Sequence, residues 1–168
     1  MRFFLITLIS LAFSPKVLSQ NKIDKILKKF NTESVPYITV EALNGMNHIV
    51  VLDAREKDEF QVSHLKDAIW VGAKTFELDS VIPKIENRNT DIVVYCSIGV
   101  RSENIGQKLM EAGFSNVKNL YGGIFEWKNT GHSVYDSTGN ETEKVHAFSK
   151  YWGKLLKKGE KVYDVPPQ

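Results

Sequence analysis

Short apolar runs that alternate with helical patterns constrain the fold of this chain more than any other feature. The run from Asp91 to Tyr95, DIVVY, is apolar and β-branched, which is typical of a buried strand. Residues 102–112 follow it and place Ile105 and Leu109 at helical spacing. The same reasoning predicts strands at 37–40, 48–53, 68–71 and 117–120, and helices at 21–30, 41–46, 56–62, 79–85 and 124–130. This alternation predicts an α/β domain whose central parallel sheet carries helices on both faces.

The first residues predict a signal peptide. Arg2 precedes an apolar run over residues 3–13, and residues 17–19 (VLS) provide a cleavage site for a signal peptidase. The apolar run is short for a membrane span, so an uncleaved anchor is the less favoured alternative. We therefore expect cleavage after residue 19, export to the periplasm, and contact with the membrane only before cleavage. Cleavage would lower the formal charge from +2 to zero. A chain without net positive charge gives no reason to expect a nucleic acid as a partner.

The remaining boundaries follow from composition and turn signals. The turn-rich stretch from Asp136 to Asn140 separates the α/β domain from a C-terminal extension. In this extension, residues 143–159 predict an amphipathic helix with one apolar face, formed by Val145, Phe148, Trp152 and Leu155. We expect this helix to pack back on the domain; a lid, a dimer contact and a site for a protein partner are the alternatives. The four segments are therefore 1–19 (signal peptide), 20–36 (helical), 37–134 (α/β domain) and 135–168 (extension).

Cys96 is the only cysteine of the chain, and it stands where the most strand-like run meets a helix. A single cysteine forms no internal disulfide, so its thiol is either inert and buried or reactive. A loop between a strand and a helix can turn backbone N–H groups inward, and the helix N-terminus adds positive potential, so both favour the thiolate. Gly99 allows the loop to curl, and Arg101 either adds a cation or braces the loop. Position alone favours the inert and the reactive thiol about equally.

The loop resembles the active site of a known family. Cys96, Gly99, Arg101 and Ser102 match the Cys-x-x-Gly-x-Arg-Ser pattern of single-domain rhodaneses. Residues 52–65 and 113–127 resemble the first and the closing signature of the same family. The resemblance covers residues 37–134 and rests on three ordered motifs, which makes it specific.

The resemblance implies a rhodanese-like fold and a sulfurtransferase activity. Cys96 would take a sulfane sulfur from thiosulfate or a similar donor, and pass it as a persulfide to a thiol or to cyanide. No metal and no organic cofactor is expected. Family members that favour thiosulfate often have basic residues after the cysteine, where this chain has neutral ones, so persulfides, polysulfide and organic thiosulfonates remain possible donors. The residues expected to hold the substrate are Ser97, Ile98, Gly99, Val100 and Arg101.

Two alternatives to this sulfurtransferase remain. Cysteine-dependent phosphatases and arsenate reductases also hold a cysteine in an anion-binding loop, but five residues separate their cysteine from the arginine. Only four residues separate Cys96 from Arg101, and the loop has no acidic residue to protonate a leaving alkoxide. The other alternative is a non-catalytic rhodanese-like module that binds a protein partner through its C-terminal helix.

Other polar residues are expected to support the site. Asp53 and Arg55 end a strand at the edge of the sheet that binds ligands, and we expect a structural ion pair there. Glu59 is a further candidate partner for Arg55. We expect His64 to be a hydrogen-bonded turn residue. The other histidines lack the spacing of metal ligands, so no metal site is predicted; they are His48, His132 and His146.

Overall fold

The computed structural model describes residues 15–85 and 87–163, and for residues 15–21 only the course of the backbone. Most of the expected signal peptide therefore lies outside the described residues. The α-helices are α1 (Pro15–Phe30), α2 (Val40–Asn44), α3 (Lys57–Val62), α4 (Leu78–Val81), α5 (Arg101–Glu111) and α6 (Gly123–Asn129). The strands are β1 (Tyr37–Ile38), β2 (Val50–Asp53), β3 (Ile69–Trp70), β4 (Ile92–Tyr95), β5 (Val117–Leu120), β6 (Val134–Tyr135), β7 (Glu141–Thr142), β8 (Lys144–His146) and β9 (Glu160–Val162). Two 3₁₀ turns span Ile82–Lys84 and Trp152–Lys154.

Five strands form the central sheet in the order β1-β5-β4-β2-β3, and every pair in it is parallel. β4 lies in the middle, and its four residues are all buried. A central strand of a parallel sheet is covered on both faces, which explains why DIVVY has no polar residue between its ends. The predicted parallel sheet is confirmed.

Alternate residues of β4 point to two separate cores, as the geometry of a strand requires. Val93 and Tyr95 face a cluster that contains residues of α1, α2 and α6. Ile92 and Val94 face the second cluster, which contains residues of α4 and α5. Helices therefore cover both faces of the sheet, as predicted.

Local signals explain where several helices begin and end. A capping box joins Glu56 and Glu59, so α3 begins one residue later than predicted. Pro83 lies in the first turn of a 3₁₀ segment, where its missing N–H costs little, and it ends α4 early. Gly113 follows the last turn of α5 with a φ of +91°, a conformation that favours glycine.

The predicted C-terminal helix over residues 143–159 is wrong. In its place, β8 pairs in parallel with β9, and the chain between them contains only a 3₁₀ turn. Val145 and Leu155 are buried, whereas Phe148 is half-exposed, so these residues do not share a face. Phe148 has a φ of +63°, and Gly159 has a φ of +87°, which an α-helix does not allow. The apolar spacing that suggested a helix belongs to a strand, a turn and a 3₁₀ segment.

The extension nevertheless packs back on the domain. Its buried residues join the same cluster as α1 and α6; they are Val145, Ala147, Leu155 and Leu156. Among the described residues, no helix has both the length and the hydropathy that a membrane span needs.

Candidate active site

Cys96 lies directly after β4, in the loop that leads into α5. The N-terminus of α6 holds this loop by its backbone, because the N–H groups of Ile124 and Phe125 donate to the carbonyls of Cys96 and Ser97 (3.0 and 3.1 Å). Gly123 makes this approach possible: a Cβ on it would collide with the Cys96 carbonyl. The loop therefore lies at the carboxyl edge of the sheet, where ligands bind in open α/β folds.

The sulfur of Cys96 is buried but lies at the floor of a cavity. Cys96 is only 1% exposed, yet it is one of the residues that line an open cavity of about 190 Å³. The N–H of Gly99 donates to Sγ over 3.2 Å. Gly99 has a φ of +107°, and a Cβ there would lie 3.2 Å from the Leu120 carbonyl oxygen, so glycine is needed for this curl.

The surroundings of Cys96 favour its thiolate. Burial raises the pKa of the thiol, but the charge of Arg101 and hydrogen bonds from Ser102 and from the Ile98 N–H oppose burial, and the net pKa is lowered. The thiolate is the nucleophilic form of cysteine. A buried cysteine whose thiolate is stabilised in this way differs from an inert core thiol, which burial alone would keep protonated.

Arg101 braces the loop through Glu59. Its Nη1 donates to Glu59 Oε2 over 2.6 Å, and its Nη2 donates to Glu59 Oε1 over 2.9 Å. Nη2 also donates to Ser97 Oγ (2.9 Å), and that hydroxyl donates to Glu59 Oε1 (3.2 Å). Burial raises the pKa of Glu59, but Arg101, the charge of Arg55 and the Glu56 N–H together outweigh burial, and the net pKa is lowered. Arg101 is therefore a charge fixed beside Cys96, with its fork already occupied by a carboxylate.

The structural ion pair expected at Asp53 and Arg55 is present, whereas the candidate pairing of Glu59 with Arg55 is not. Arg55 instead pairs with Asp53 at 2.6 Å, and both side chains are fully buried. The Nη2 of Arg55 also donates to the Ser63 carbonyl (2.6 Å), so the guanidinium ties the end of β2 to the end of α3. Neither Asp53 nor Arg55 lines the cavity. Their role is to hold α3, which carries Glu59.

Two asparagines hold the loop, and the sequence analysis missed both of them. The Nδ2 of Asn119, on β5, and the Nδ2 of Asn31, just after α1, each donate to the Gly99 carbonyl over 2.8 Å. Asn119 Oδ1 accepts from Ser102 Oγ (2.8 Å). The peptide that follows Gly99 is therefore fixed from both sides. For Asn119 a usable signal existed, since it lies within residues 113–127, which resemble the closing signature of the family.

Three aromatic residues line the cavity, and we call them the aromatic collar: Phe30, Phe148 and Trp152. Phe30 and Phe148 are exposed to solvent, so we call this side of the cavity its mouth. The rest of the lining comes from the loop itself: Cys96, Ser97, Ile98, Val100 and Arg101. The loop residues expected from sequence to hold a substrate therefore line the cavity, except Gly99, whose backbone contacts the sulfur. Phe30 was missed, because α1 reads as a simple amphipathic helix.

His64 is held in place by its neighbours. His64 Nδ1 lies 3.1 Å from the Phe60 carbonyl, and its ring stacks on that of Phe60 with 4.0 Å between centroids. This agrees with the hydrogen-bonded turn residue expected from sequence. Within residues 15–85 and 87–163, no group of three or more metal-ligating side chains comes together.

Comparison with known proteins identifies the family to which the loop and the sheet belong. A family model described as a rhodanese-like domain matches residues 39–130. The thiosulfate sulfurtransferase GlpE of Coxiella burnetii is 32% identical over 93 residues, which are 55% of this chain and 82% of that protein. The adenylyltransferase and sulfurtransferase UBA4 of Candida albicans is 30% identical over 109 residues, 62% of this chain and 24% of that protein. The tRNA uridine(34) hydroxylase of Photorhabdus laumondii is 33% identical over 97 residues, 54% of this chain and 28% of that protein. This chain thus matches less than a third of the length of the last two relatives.

Solved structures show the same fold. A thiosulfate sulfurtransferase from Pseudomonas aeruginosa superposes with a TM-score of 0.56 and 24% identity, over 82% of this chain and 26% of that one. The rhodanese-like domain of the Alr3790 protein from Anabaena superposes with a TM-score of 0.55 and 20% identity, over 79% of this chain and 92% of that one. At these identities the likeness concerns the fold.

Proposed function

The chain belongs to the rhodanese-like family, and on that premise we propose that it is a sulfurtransferase whose nucleophile is Cys96. One observation carries the proposal: the Cys96 sulfur lies at the floor of an open cavity, accepts the Gly99 N–H, and has Arg101 fixed beside it. An anionic sulfur that a small molecule can reach is what transfer through a persulfide requires.

The reaction has two displacements, and its atoms and charges balance. The Cys96 thiolate attacks the terminal sulfur of the donor, a new S–S bond forms, and the rest of the donor leaves with the electron pair of the broken bond. With thiosulfate the leaving group is sulfite. A thiolate or cyanide acceptor then attacks the outer sulfur of the persulfide, and Cys96 leaves as a thiolate. The acceptor carries away the sulfur as a persulfide or as thiocyanate.

The pairing of Arg101 with Glu59 favours sulfur transfer over phosphate transfer. A phosphatase needs an arginine whose fork is open to a phosphate dianion, whereas both terminal nitrogens of Arg101 bind Glu59. Here the guanidinium stabilises the thiolate by its charge. Together with the loop of four residues between Cys96 and Arg101, where phosphatases and arsenate reductases have five, this arrangement argues against both alternatives.

We also propose that the protein is exported and cut after residue 19. The core residues of α1, Ile23 and Leu27, lie beyond that cut, so the mature chain would keep them. The test is the intact mass of the protein recovered from the periplasm of a Gram-negative host. A mass equal to that of residues 20–168 supports the proposal, and retention of the full chain in the cytoplasm would refute it.

Transfer of sulfur to cyanide tests the main proposal. The wild type and Cys96→Ser are compared with thiosulfate and with polysulfide as donors, and mass spectrometry follows the donor-treated protein. Because Cys96 is the only cysteine, an adduct of one sulfur atom identifies it without peptide mapping. We expect turnover and the adduct in the wild type, and neither in Cys96→Ser with an unchanged unfolding curve. Turnover that survives the substitution, or its absence in the wild type with both donors, would refute the proposal.

A further inference from the structure

The terminal segments of the chain build the mouth of the cavity, and this suggests which donor it accepts. We propose that the aromatic collar selects an organic sulfur donor with an aromatic body, such as an aryl thiosulfonate, over inorganic thiosulfate. This inference rests on the proposed function, since it names the substrate class of the same site.

The collar lies outside the part of the chain that matches the family model. Phe30 ends α1, Trp152 begins a 3₁₀ turn, and Phe148 lies in the turn after β8, whereas the family match covers residues 39–130. Phe30 is 55% exposed and Phe148 is 49% exposed. Few other large apolar side chains of the described residues are exposed to this extent. Apolar groups that converge on a cavity and stay open to solvent mark a binding site.

The position of Phe148 is fixed by an anchored turn. Its φ of +63° is uncommon for a bulky residue. Buried neighbours hold the turn, since Ala147 is fully buried and the Phe148 N–H donates to His146 Nδ1 over 3.2 Å. The Phe148 ring lies 5.1 Å from the Arg101 guanidinium carbon. The anchored turn therefore holds an aromatic ring over Arg101, the one cation of the cavity lining in the described chain.

The charge of the site disfavours a dianion. Arg101 is bound to Glu59 and covered by the Phe148 ring, and the two residues after Cys96 are the neutral Ser97 and Ile98. Thiosulfate carries two negative charges and would lose its hydration beside a thiolate, while Glu59 occupies both terminal nitrogens of Arg101 and leaves them no bond for a second anion. An aryl thiosulfonate carries one charge, at the reacting end, and presents an apolar ring to the collar.

The size of the cavity fits an aromatic ring. An apolar cavity of roughly 150 Å³ holds benzene in other proteins, and this cavity has about 190 Å³. The volume of the cavity is therefore sufficient for a phenyl ring beside Cys96 and the collar residues.

The first displacement with such a donor balances. The Cys96 thiolate attacks the terminal sulfur of benzenethiosulfonate, the bond between the two donor sulfurs breaks, and benzenesulfinate leaves with the electron pair. The products are the Cys96 persulfide anion and one sulfinate anion, so two negative charges stand on each side. The persulfide then passes its outer sulfur to cyanide or to a thiol, as described above.

The test compares three donors with cyanide as the acceptor: benzenethiosulfonate, methanethiosulfonate and thiosulfate. Each kcat/KM is divided by the rate constant of the same donor with cyanide alone, which removes differences in intrinsic reactivity. We expect the normalised value for benzenethiosulfonate to exceed that for methanethiosulfonate by at least about tenfold, since apolar contacts in a pocket discriminate by roughly ten- to two-hundredfold. Thiosulfate should be the poorest donor.

Collar variants give the second part of the test. Phe148→Ala and Phe30→Ala should each reduce the aryl preference by about threefold or more, because they remove ring contacts and not the nucleophile. Met110→Ala is the matched control: Met110 is an exposed apolar residue of α5 that does not line the cavity, and its loss should not alter the preference.

The outcomes separate this inference from the proposed function. Cys96-dependent turnover with equal normalised values for the two thiosulfonates, or a preference that both collar variants leave unchanged, would overturn the inference and leave the sulfurtransferase standing. No persulfide with any of the three donors would overturn the proposed function itself. A preference that falls in the collar variants and not in Met110→Ala supports both.

Discussion

The floor and the mouth of the cavity are built by different means. The floor is the loop that carries Cys96, and its polar groups have their partners inside the protein: Arg101 binds Glu59, and the Gly99 carbonyl accepts from two asparagines. The mouth is the aromatic collar, of which Phe30 and Phe148 remain open to solvent. Polar groups with satisfied partners fix a geometry, whereas exposed rings offer area to whatever enters. If the chain transfers sulfur as proposed, we expect the floor to govern the chemistry for every donor and the mouth to govern which donor is preferred.

The buried ion pair beneath the floor should give the largest effect. Arg55→Met leaves the Asp53 carboxylate buried without its partner, and breaking such a pair costs about 3–5 kcal/mol of the free energy of unfolding. Urea unfolding measures this loss. Lys74→Ala is the control, because Lys74 pairs with Glu56 at the surface with 79% of its side chain exposed, and such a pair contributes about 0–1 kcal/mol.

This prediction remains testable if Arg55→Met does not fold. Arg55→Lys keeps the charge but loses the fork that reaches both Asp53 and the Ser63 carbonyl, so it should fold with an intermediate loss of stability. Unfolding curves of Arg55→Lys and Lys74→Ala that coincide would contradict the structural role of the pair. The donor preference of Arg55→Lys should equal that of the wild type, because Arg55 does not line the cavity.

The charge beside Cys96 should give the next largest effect. Arg101→Gln removes the positive charge that lowers the pKa of the Cys96 thiol, so that pKa should rise. The thiolate is lost as the pH falls through the pKa, and the acidic limb of the rate profile should therefore move to higher pH. We expect turnover near neutral pH to fall for all donors alike, on the order of tenfold to a hundredfold, as when one group that stabilises a reacting anion is removed.

Alkylation of Cys96 by iodoacetamide measures this shift directly, because the rate follows the thiolate fraction and Cys96 is the only thiol. Arg88→Gln is the control: Arg88 lies over the ring of Phe114 and does not line the cavity. The same substitution there should leave the alkylation profile unchanged. A profile for Arg101→Gln that matches the wild type would show that the floor does not tune the thiol through this charge.

The loop that carries Cys96 was predictable from sequence, whereas the side chains that hold the loop and those that form the mouth were not. Cys96, Gly99 and Arg101 stand close together in the chain, so their loop and its place after a buried strand follow from local pattern. The partner of Glu59 was wrong because sequence gives no distance across the sheet: Arg101 follows Glu59 by 42 residues, yet the two groups lie 2.6 Å apart.

The collar was hidden for a similar reason. Phe30 and Phe148 come from opposite ends of the chain and meet only through the tertiary fold. The helix predicted over residues 143–159 rested on apolar spacing alone, which does not distinguish a helix from a strand followed by a tight turn. The glycines at 153 and 159 weaken a helix there.

Substitution of Asn31 should give the smallest effect, and it tests whether two adjacent residues can act separately on the floor and on the mouth. It follows the collar residue Phe30 directly in the chain, but its Nδ2 donates to the Gly99 carbonyl of the floor and to the Tyr37 hydroxyl, both at 2.8 Å. Asn31→Ala removes both bonds, while Asn119 still donates to the Gly99 carbonyl. We expect a loss of about 1 kcal/mol in the free energy of unfolding, the usual contribution of a hydrogen bond.

The values of kcat/KM for the three donors distinguish Asn31 from its neighbour Phe30. Because Asn31 acts on the loop that holds Cys96, Asn31→Ala should lower kcat/KM by the same few-fold for benzenethiosulfonate, methanethiosulfonate and thiosulfate, about fivefold if the full 1 kcal/mol is lost in the transition state. Phe30→Ala should lower the value for the aryl donor most. Equal patterns in these two variants would mean that the floor and the mouth act as one unit, since adjacent residues with different contacts would then change the same step.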